Sequence, residues 1–159
     1  MAKKILIATD GSEPAMDAAR YAFQISGKMG LGLVGLRVVD IDRYASEWEA
    51  VRETVAGELE EHARRILDEL AEEARSHGLE IDLQVRHGDS SREIIRFAQE
   101  HDEVALIVLG ATGRRRLGRQ LIGSTAERVV RQVGRDLPCP VVITPSASGT
   151  PGVRLKLEE

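Results

Sequence analysis

Five short apolar runs alternate with stretches of helical periodicity along the chain. Residues 3–9, KKILIAT, are apolar and end at Asp10-Gly11-Ser12, which reads as a buried strand. A helix follows, with Ser12 as its cap and Glu13 and Pro14 in the first turn. Its apolar positions are Ala15, Ala18, Ala19, Ala22 and Phe23. Residues 32–39, GLVGLRVV, give a second strand, stopped at Asp40. Over residues 47–77, Trp48, Val51, Val55, Leu59, Ala63, Ile66, Leu70 and Ala74 step by three or four between many Glu and Arg residues. This predicts a long amphipathic helix, open to a break near Gly57 and capped by Gly78. Residues 79–86, LEIDLQVR, alternate strictly and predict a strand buried on one face, as at a sheet edge. Ser90 and Glu93 have capping-box spacing before Ile94, Phe97, Ala98 and His101. Residues 104–109, VALIVL, are apolar throughout and predict a central strand covered on both faces. Ser124 and Glu127 repeat the capping-box spacing before Ala126, Val129, Val130 and Val133. Residues 139–144, CPVVIT, form the last strand, at an edge because Pro138 and Pro140 cannot donate to a ladder.

Strands alternating with helices predict one α/β domain over residues 1–145, built on an open, doubly wound, five-stranded parallel sheet with helices on both faces. Residues 146–159 are a Gly/Pro/Ser-rich tail with an alternating segment, Val153, Leu155 and Leu157. The tail is expected to add a strand or to clasp a second subunit. If the strand order is 3-2-1-4-5, the winding reverses between the first and fourth strands. Ligands of such sheets sit at the carboxyl ends of the strands at that reversal. There the ends Asp10-Gly11-Ser12 and Gly110-Ala111-Thr112-Gly113 converge.

Composition narrows the chemistry. A chain of 159 residues with 30% charged residues and a net charge of −4 is no strongly basic nucleic-acid binder. Aromatic residues at 3% are too few for a base-stacking platform. Cys139 is the one cysteine, so no disulfide framework or Cys-rich zinc site can form, and a buried inert thiol is expected. No apolar run is long enough to span a membrane, and MAKKILIATDGS lacks the apolar core of a signal peptide, so a cytoplasmic location is expected.

The richest constellation is Gly110-x-x-Gly113 with Gly123-Ser124 after nine intervening residues. Glycines let backbone N–H groups approach an anion, and the helix opening at Gly123-Ser124 offers free N–H groups and a positive dipole end. Arg114, Arg115, Arg116 and Arg119 lie between. The plainer alternative is a flexible loop before an ordinary cap. The arginine run could touch RNA, although a phosphate-facing loop or solvated charge suits a net acidic chain better. Asp10 could accept from a ribose hydroxyl or an adenine amino group, meet a metal through water, or cap the following helix. Two patterns mislead. Gly118-x4-Gly123-Ser124 imitates a P-loop without its lysine, and Gly30-x-Gly32-x-x-Gly35 spells a dinucleotide fingerprint but enters a strand instead of leaving one. The latter is read as a turn plus close packing. His62, His77, His87 and His101 lack metal-ligand spacing, and no Gly-x-Ser-x-Gly elbow exists for a serine hydrolase.

Together these residues make the chain resemble the ATP-binding branch of the universal stress protein family. The resemblance runs from Lys3-Lys4-Ile5-Leu6-Ile7-Ala8-Thr9-Asp10-Gly11-Ser12 to Pro140-Val141-Val142-Ile143. Its most specific element is G-x2-G-x9-G-[S/T], met by Gly110, Gly113, Gly123 and Ser124. The resemblance implies a Rossmann-like fold of the adenine nucleotide alpha hydrolase type with strand order 3-2-1-4-5. It implies that Ala8, Thr9 and Asp10 meet the adenosine, that Val38 holds adenine through its backbone, and that Gly110 lies near the ribose and first phosphate. Gly113 and Arg114 would border the phosphates, and Gly123, Ser124 and Thr125 would bind them. The expected cofactor is ATP, with Mg2+ or Mn2+ on its phosphates. The expected partners are a second copy joined along Val141, Val142 and Ile143, and a regulatory protein. No catalytic residue is evident, so a stress-response role with slow or absent hydrolysis is expected, against the alternative of a genuine ATPase or nucleotidyl-transferring enzyme.

Overall fold

The computed structural model describes residues 2–43, 49–111 and 122–145. Five parallel strands are ordered β3-β2-β1-β4-β5: β1 (Lys4–Ala8), β2 (Gly32–Val39), β3 (Asp82–His87), β4 (Val104–Gly110) and β5 (Val141–Thr144). Helices α1 (Glu13–Met29), α2 (Glu49–Ser76), α3 (Ser90–Glu100) and α4 (Ser124–Arg131) fill the crossovers, and a short 3-10 turn at Ile41–Arg43 follows β2. The doubly wound sheet expected from the sequence is thus observed, with β3 and β5 at its edges.

The two faces of the sheet carry separate cores. On one, Ile5, Ile7, Leu33 and Val108 pack against Ala18, Ala22 and Phe23 of α1 and Leu67 and Leu70 of α2. On the other, Leu6, Leu36, Ile107 and Leu109 pack against Ile94 and Phe97 of α3 and Val129 of α4. Period-two alternation in the strands divides the apolar residues between these layers. Burying each large side chain contributes roughly 1.5–3 kcal/mol.

Gly30 takes the left-handed conformation that ends α1 (φ 67°). A Cβ at Gly35 would stand 2.7 Å from Leu70 Cδ2, so α2 is seated against the sheet through that missing atom. The Gly30-x-Gly32-x-x-Gly35 string is therefore a turn and a close approach, as its position before a strand implied.

Five local expectations are corrected. α2 runs unbroken through Gly57, because tertiary packing of its later turns carries a residue that only weakens helix propensity. β3 begins at Asp82; Leu79 and Ile81 precede it and still pack on the α1–α2 core. The cap of α3 is Asp89, not Ser90: its carboxylate accepts from Arg92 N at 3.0 Å. Ser124 is likewise the first helical residue, while Gly123 holds the cap position in extended conformation without a side-chain hydrogen bond. Val130 and Val133, read as apolar helix positions, are 40% and 48% exposed.

Candidate functional site

The crevice is built from three chain segments at the carboxyl edge of the sheet. Parallel pairing of Ile7 with Val108 brings the ends of β1 and β4 side by side. Beyond β1 the chain turns sharply. Thr9 is buried, its N–H donates to Leu36 O at 3.0 Å, and its hydroxyl accepts from Gly11 N at 3.1 Å. Asp10 Oδ1 accepts from Ser12 N at 3.0 Å, and Gly11 supplies the left-handed turn (φ 81°). Ser12 caps α1 by accepting from Ala15 N. Asp10 therefore shapes the turn ahead of the cap, and the cap itself is Ser12.

β2 outlasts β1. Leu36 O faces β1, where Thr9 meets it, and Val39 O faces β3, where Gly88 N meets it at 3.0 Å. Backbone groups alternate sides along a strand, so the N–H and C=O of Val38 turn toward the space that β1 has left. The Val38 side chain is buried in the α3–α4 core. Ala8, the last residue of β1, packs against the same core.

β4 ends at Gly110, paired with Thr144. Ala111 then pins both ends of the Gly/Arg-rich segment. Its N–H donates to Thr144 O at 2.8 Å, and its carbonyl accepts from Gly123 N at 2.5 Å. Gly113, Arg114, Arg115, Arg116, Gly118 and Arg119 lie outside the described residues, between these two pinned ends. Ser124 and Thr125 open α4 directly after the pin, and among the described residues no side-chain cap hydrogen bond is made at Gly123. An anion beside that turn meets oriented donors and the positive end of the helix dipole. The role of Ala111 was not legible in advance, since its backbone makes both bonds.

α3 begins at the same edge. Asp89 Oδ2 accepts from Arg92 N and from the Ser91 hydroxyl at 2.8 Å, and these bonds hold its carboxyl below the usual carboxylate range. Arg128 Nη1, from α4, stands 3.6 Å from Asp89 Oδ1 and links the two helix starts. The Asp preceding Ser90-Ser91 was the available signal for this cap.

The remaining candidates lie elsewhere. His77 packs near Phe23 (5.4 Å between ring centroids), His87 Nε2 is 2.7 Å from Glu60, and His101 stacks on Phe97 at 4.0 Å. His62 sits within α2. Among the described residues no group of three or more His, Cys, Asp or Glu could hold a metal. Cys139 is buried, and burial pushes its thiol up. An open groove of about 440 Å³ between α2 and the edge strand β3, lined by Glu60, Arg64, Asp68 and His87 among others, mixes both charge signs. Among the described residues no helix is long and apolar enough to cross a membrane.

The open, doubly wound parallel sheet gathers glycine-bearing strand ends at its switch point, the edge at which α/β sheets of this class bind their ligands. The sequence profile of the Universal stress protein family matches residues 1–145. The chain is 33% identical over 146 residues to Universal stress protein MJ0531 of Methanocaldococcus jannaschii, covering 89% of this chain and 81% of that protein. It belongs to the universal stress protein family. Among solved structures, universal stress protein UspA from Lactobacillus plantarum is 28% identical with a TM-score of 0.76, covering 89% of this chain and 96% of that one. The universal stress protein from Archaeoglobus fulgidus in complex with dAMP shares the fold at 19% identity, with a TM-score of 0.63 over 89% of this chain and 96% of that one.

Proposed function

We propose that the crevice binds ATP as a regulatory ligand in a cytoplasmic stress-response protein. The observation that carries this reading is the double pin at Ala111, which brings Gly110 and the uncapped start of α4 together beside the β1 turn. In this reading the adenosine lies over the ends of β1 and β2, against Ala8, Thr9, Asp10 and the backbone of Val38. The phosphates run along the segment containing Gly113 and Arg114 to Gly123, Ser124 and Thr125. Mg2+ or Mn2+ would ride on the phosphates. The dAMP held by the Archaeoglobus fulgidus protein supports a nucleotide ligand for this fold.

Binding and not turnover is the function inferred. Backbone donors and a helix start stabilise a bound triphosphate as well as a transition state, and such uniform binding does not accelerate chemistry. Fast nucleotidases add a group that orients water. The nearby acid, Asp10, is held in the β1 turn by Ser12 N. A homodimer along Val141, Val142 and Ile143 completes the proposal: β5 pairs with β4 alone among the described strands, and Val130 on α4 and Val133 just after it add exposed apolar surface.

Mass spectrometry of the nucleotide released on denaturing freshly purified protein tests the reading. Adenine nucleotide at a substantial fraction of the protein supports it. An empty protein that also takes up no added ATP counts against it. Rapid multiple-turnover hydrolysis would favour the enzyme alternative instead.

A further inference from the structure

Arg128 is the fifth residue of α4, one turn beyond Ser124. Side chains on a helix lean toward its N-terminus. The guanidinium therefore lies toward the helix start, where among the described residues Gly123 makes no side-chain cap hydrogen bond. Its partner among the described residues is Asp89, at 3.6 Å, with the two side chains 65% and 43% exposed. A pair so long and so wet stabilises little.

Asp89 does not depend on that arginine. Its Oδ2 already accepts from Arg92 N at 3.0 Å and from the Ser91 hydroxyl at 2.8 Å, and it sits at the positive end of α3. The adjacent acid on α4, Glu127, is paired with Arg131 at 2.7 Å and does not compete for Arg128. Arg128 is thus a cation placed at the crevice edge and held there by a weak contact that its partner can lose. A polyphosphate offers a guanidinium denser charge and better-matched oxygens than one shared carboxylate.

Resting on the nucleotide reading above, we propose that Arg128 is a specificity-determining contact for phosphate-chain length. On binding of a triphosphate it leaves Asp89 and closes on the outer phosphates. A monophosphate, with its nucleoside over β1 and β2, does not extend far enough along α4 to recruit it. Asp89 is the competing acceptor that holds the guanidinium until a triphosphate displaces it.

Calorimetric titration of the full chain with ATP and with AMP, at one fixed Mg2+ concentration, tests this. Arg128→Gln is expected to weaken ATP by about tenfold, the loss of one charge-assisted hydrogen bond. AMP should stay within about twofold, because only a wet surface pair is lost in that complex. Asp89→Asn keeps a capping side chain and frees the arginine. It should bind ATP at least as tightly as the parent. Equal losses for ATP and AMP in Arg128→Gln would mean that the arginine only holds α4 in place, and would overturn the proposal. So would unchanged ATP affinity, or an Asp89→Asn variant weakened for ATP as much as Arg128→Gln. Failure of the parent protein to bind either nucleotide would bring down the nucleotide reading and this proposal together. Parent binding with an indifferent Arg128→Gln removes only the role of the arginine.

Discussion

At Gly35 a methyl group would stand 2.7 Å from Leu70 Cδ2 and 3.3 Å from Ile81 Cδ1. Leu70 is fully buried in the core, so it cannot swing away into solvent. Gly35→Ala should therefore lower stability by about 1–3 kcal/mol, the usual range for overpacking, read as a shift of the urea midpoint. The glycine's position between Val34 and Leu36 of a strand was legible in the sequence, and so was its distance from any dinucleotide role. Helix caps were less legible. Asp89, Ser90 and Ser91 can all cap, and capping-box spacing alone chose Ser90. The turn at Gly88 (φ 134°) places the chain so that the carboxylate of Asp89 meets Arg92 N. Asp89→Ala should cost about 1 kcal/mol as a lost cap, and Asp89→Asn much less, in the same denaturation assay. At Ser124 the spacing misled for another reason. The Gly123–Ala111 backbone bond fixes where the helix starts, and nothing in the side-chain pattern records it.

Among the elements, α2 departs most from its local propensity. Gly57 is helical and exposed, with nothing within 4 Å of the place a Cβ would occupy. Gly57→Ala should raise stability by about 1 kcal/mol, and a lower urea midpoint would contradict the continuous helix. α2 is tied to α1 by Glu73, which accepts from Arg20 Nε at 2.8 Å and lies 3.7 Å from His77 Nε2. The Arg20 hydrogen bond holds the Glu73 carboxyl below its ordinary range. A depressed folded pKa contributes stability above the unfolded value and loses it as pH falls through the folded one. The parent should therefore lose an increment of stability as pH falls below the ordinary glutamate value of about 4.3 that Glu73→Gln does not lose. Parallel pH profiles for the two proteins would show that the pair is silent. Long apolar periodicity identified this helix, and strict alternation identified β3 as an edge. The start of β3 was not legible, because Leu79 and Ile81 continue the alternation and pack on the core before the ladder begins.

On the scale of the whole molecule, alternation of elements and right-handed crossovers point to a doubly wound parallel sheet, the family resemblance supplies the order 3-2-1-4-5, and the observed order dictates where the strand ends meet. That much of the candidate site could be read from Asp10, Gly110 and Gly123-Ser124. The pin through Ala111 and the Asp89–Arg128 link could not, since each joins segments distant in sequence through groups with no pattern of their own. Residues 112–121 and the tail with Val153, Leu155 and Leu157 lie outside the described residues. Assembly belongs to this scale too. Sedimentation at micromolar concentration should return a dimer mass, and Val142→Lys on β5 should lower it to a monomer. A monomeric parent would remove the β5 interface.

Gly123 offers the most direct test of the crevice. Its backbone (φ −75°, ψ 163°) is open to any residue, so Gly123→Val introduces side-chain bulk beside the start of α4 without forcing a strained conformation. Calorimetry of ATP binding to the parent and to this variant, with circular dichroism to verify that both are folded, isolates the phosphate path. The parent should bind ATP and the folded variant should lose at least about tenfold in affinity. Equal ATP affinity in the two proteins would contradict the placement of the phosphates at Gly123 and Ser124.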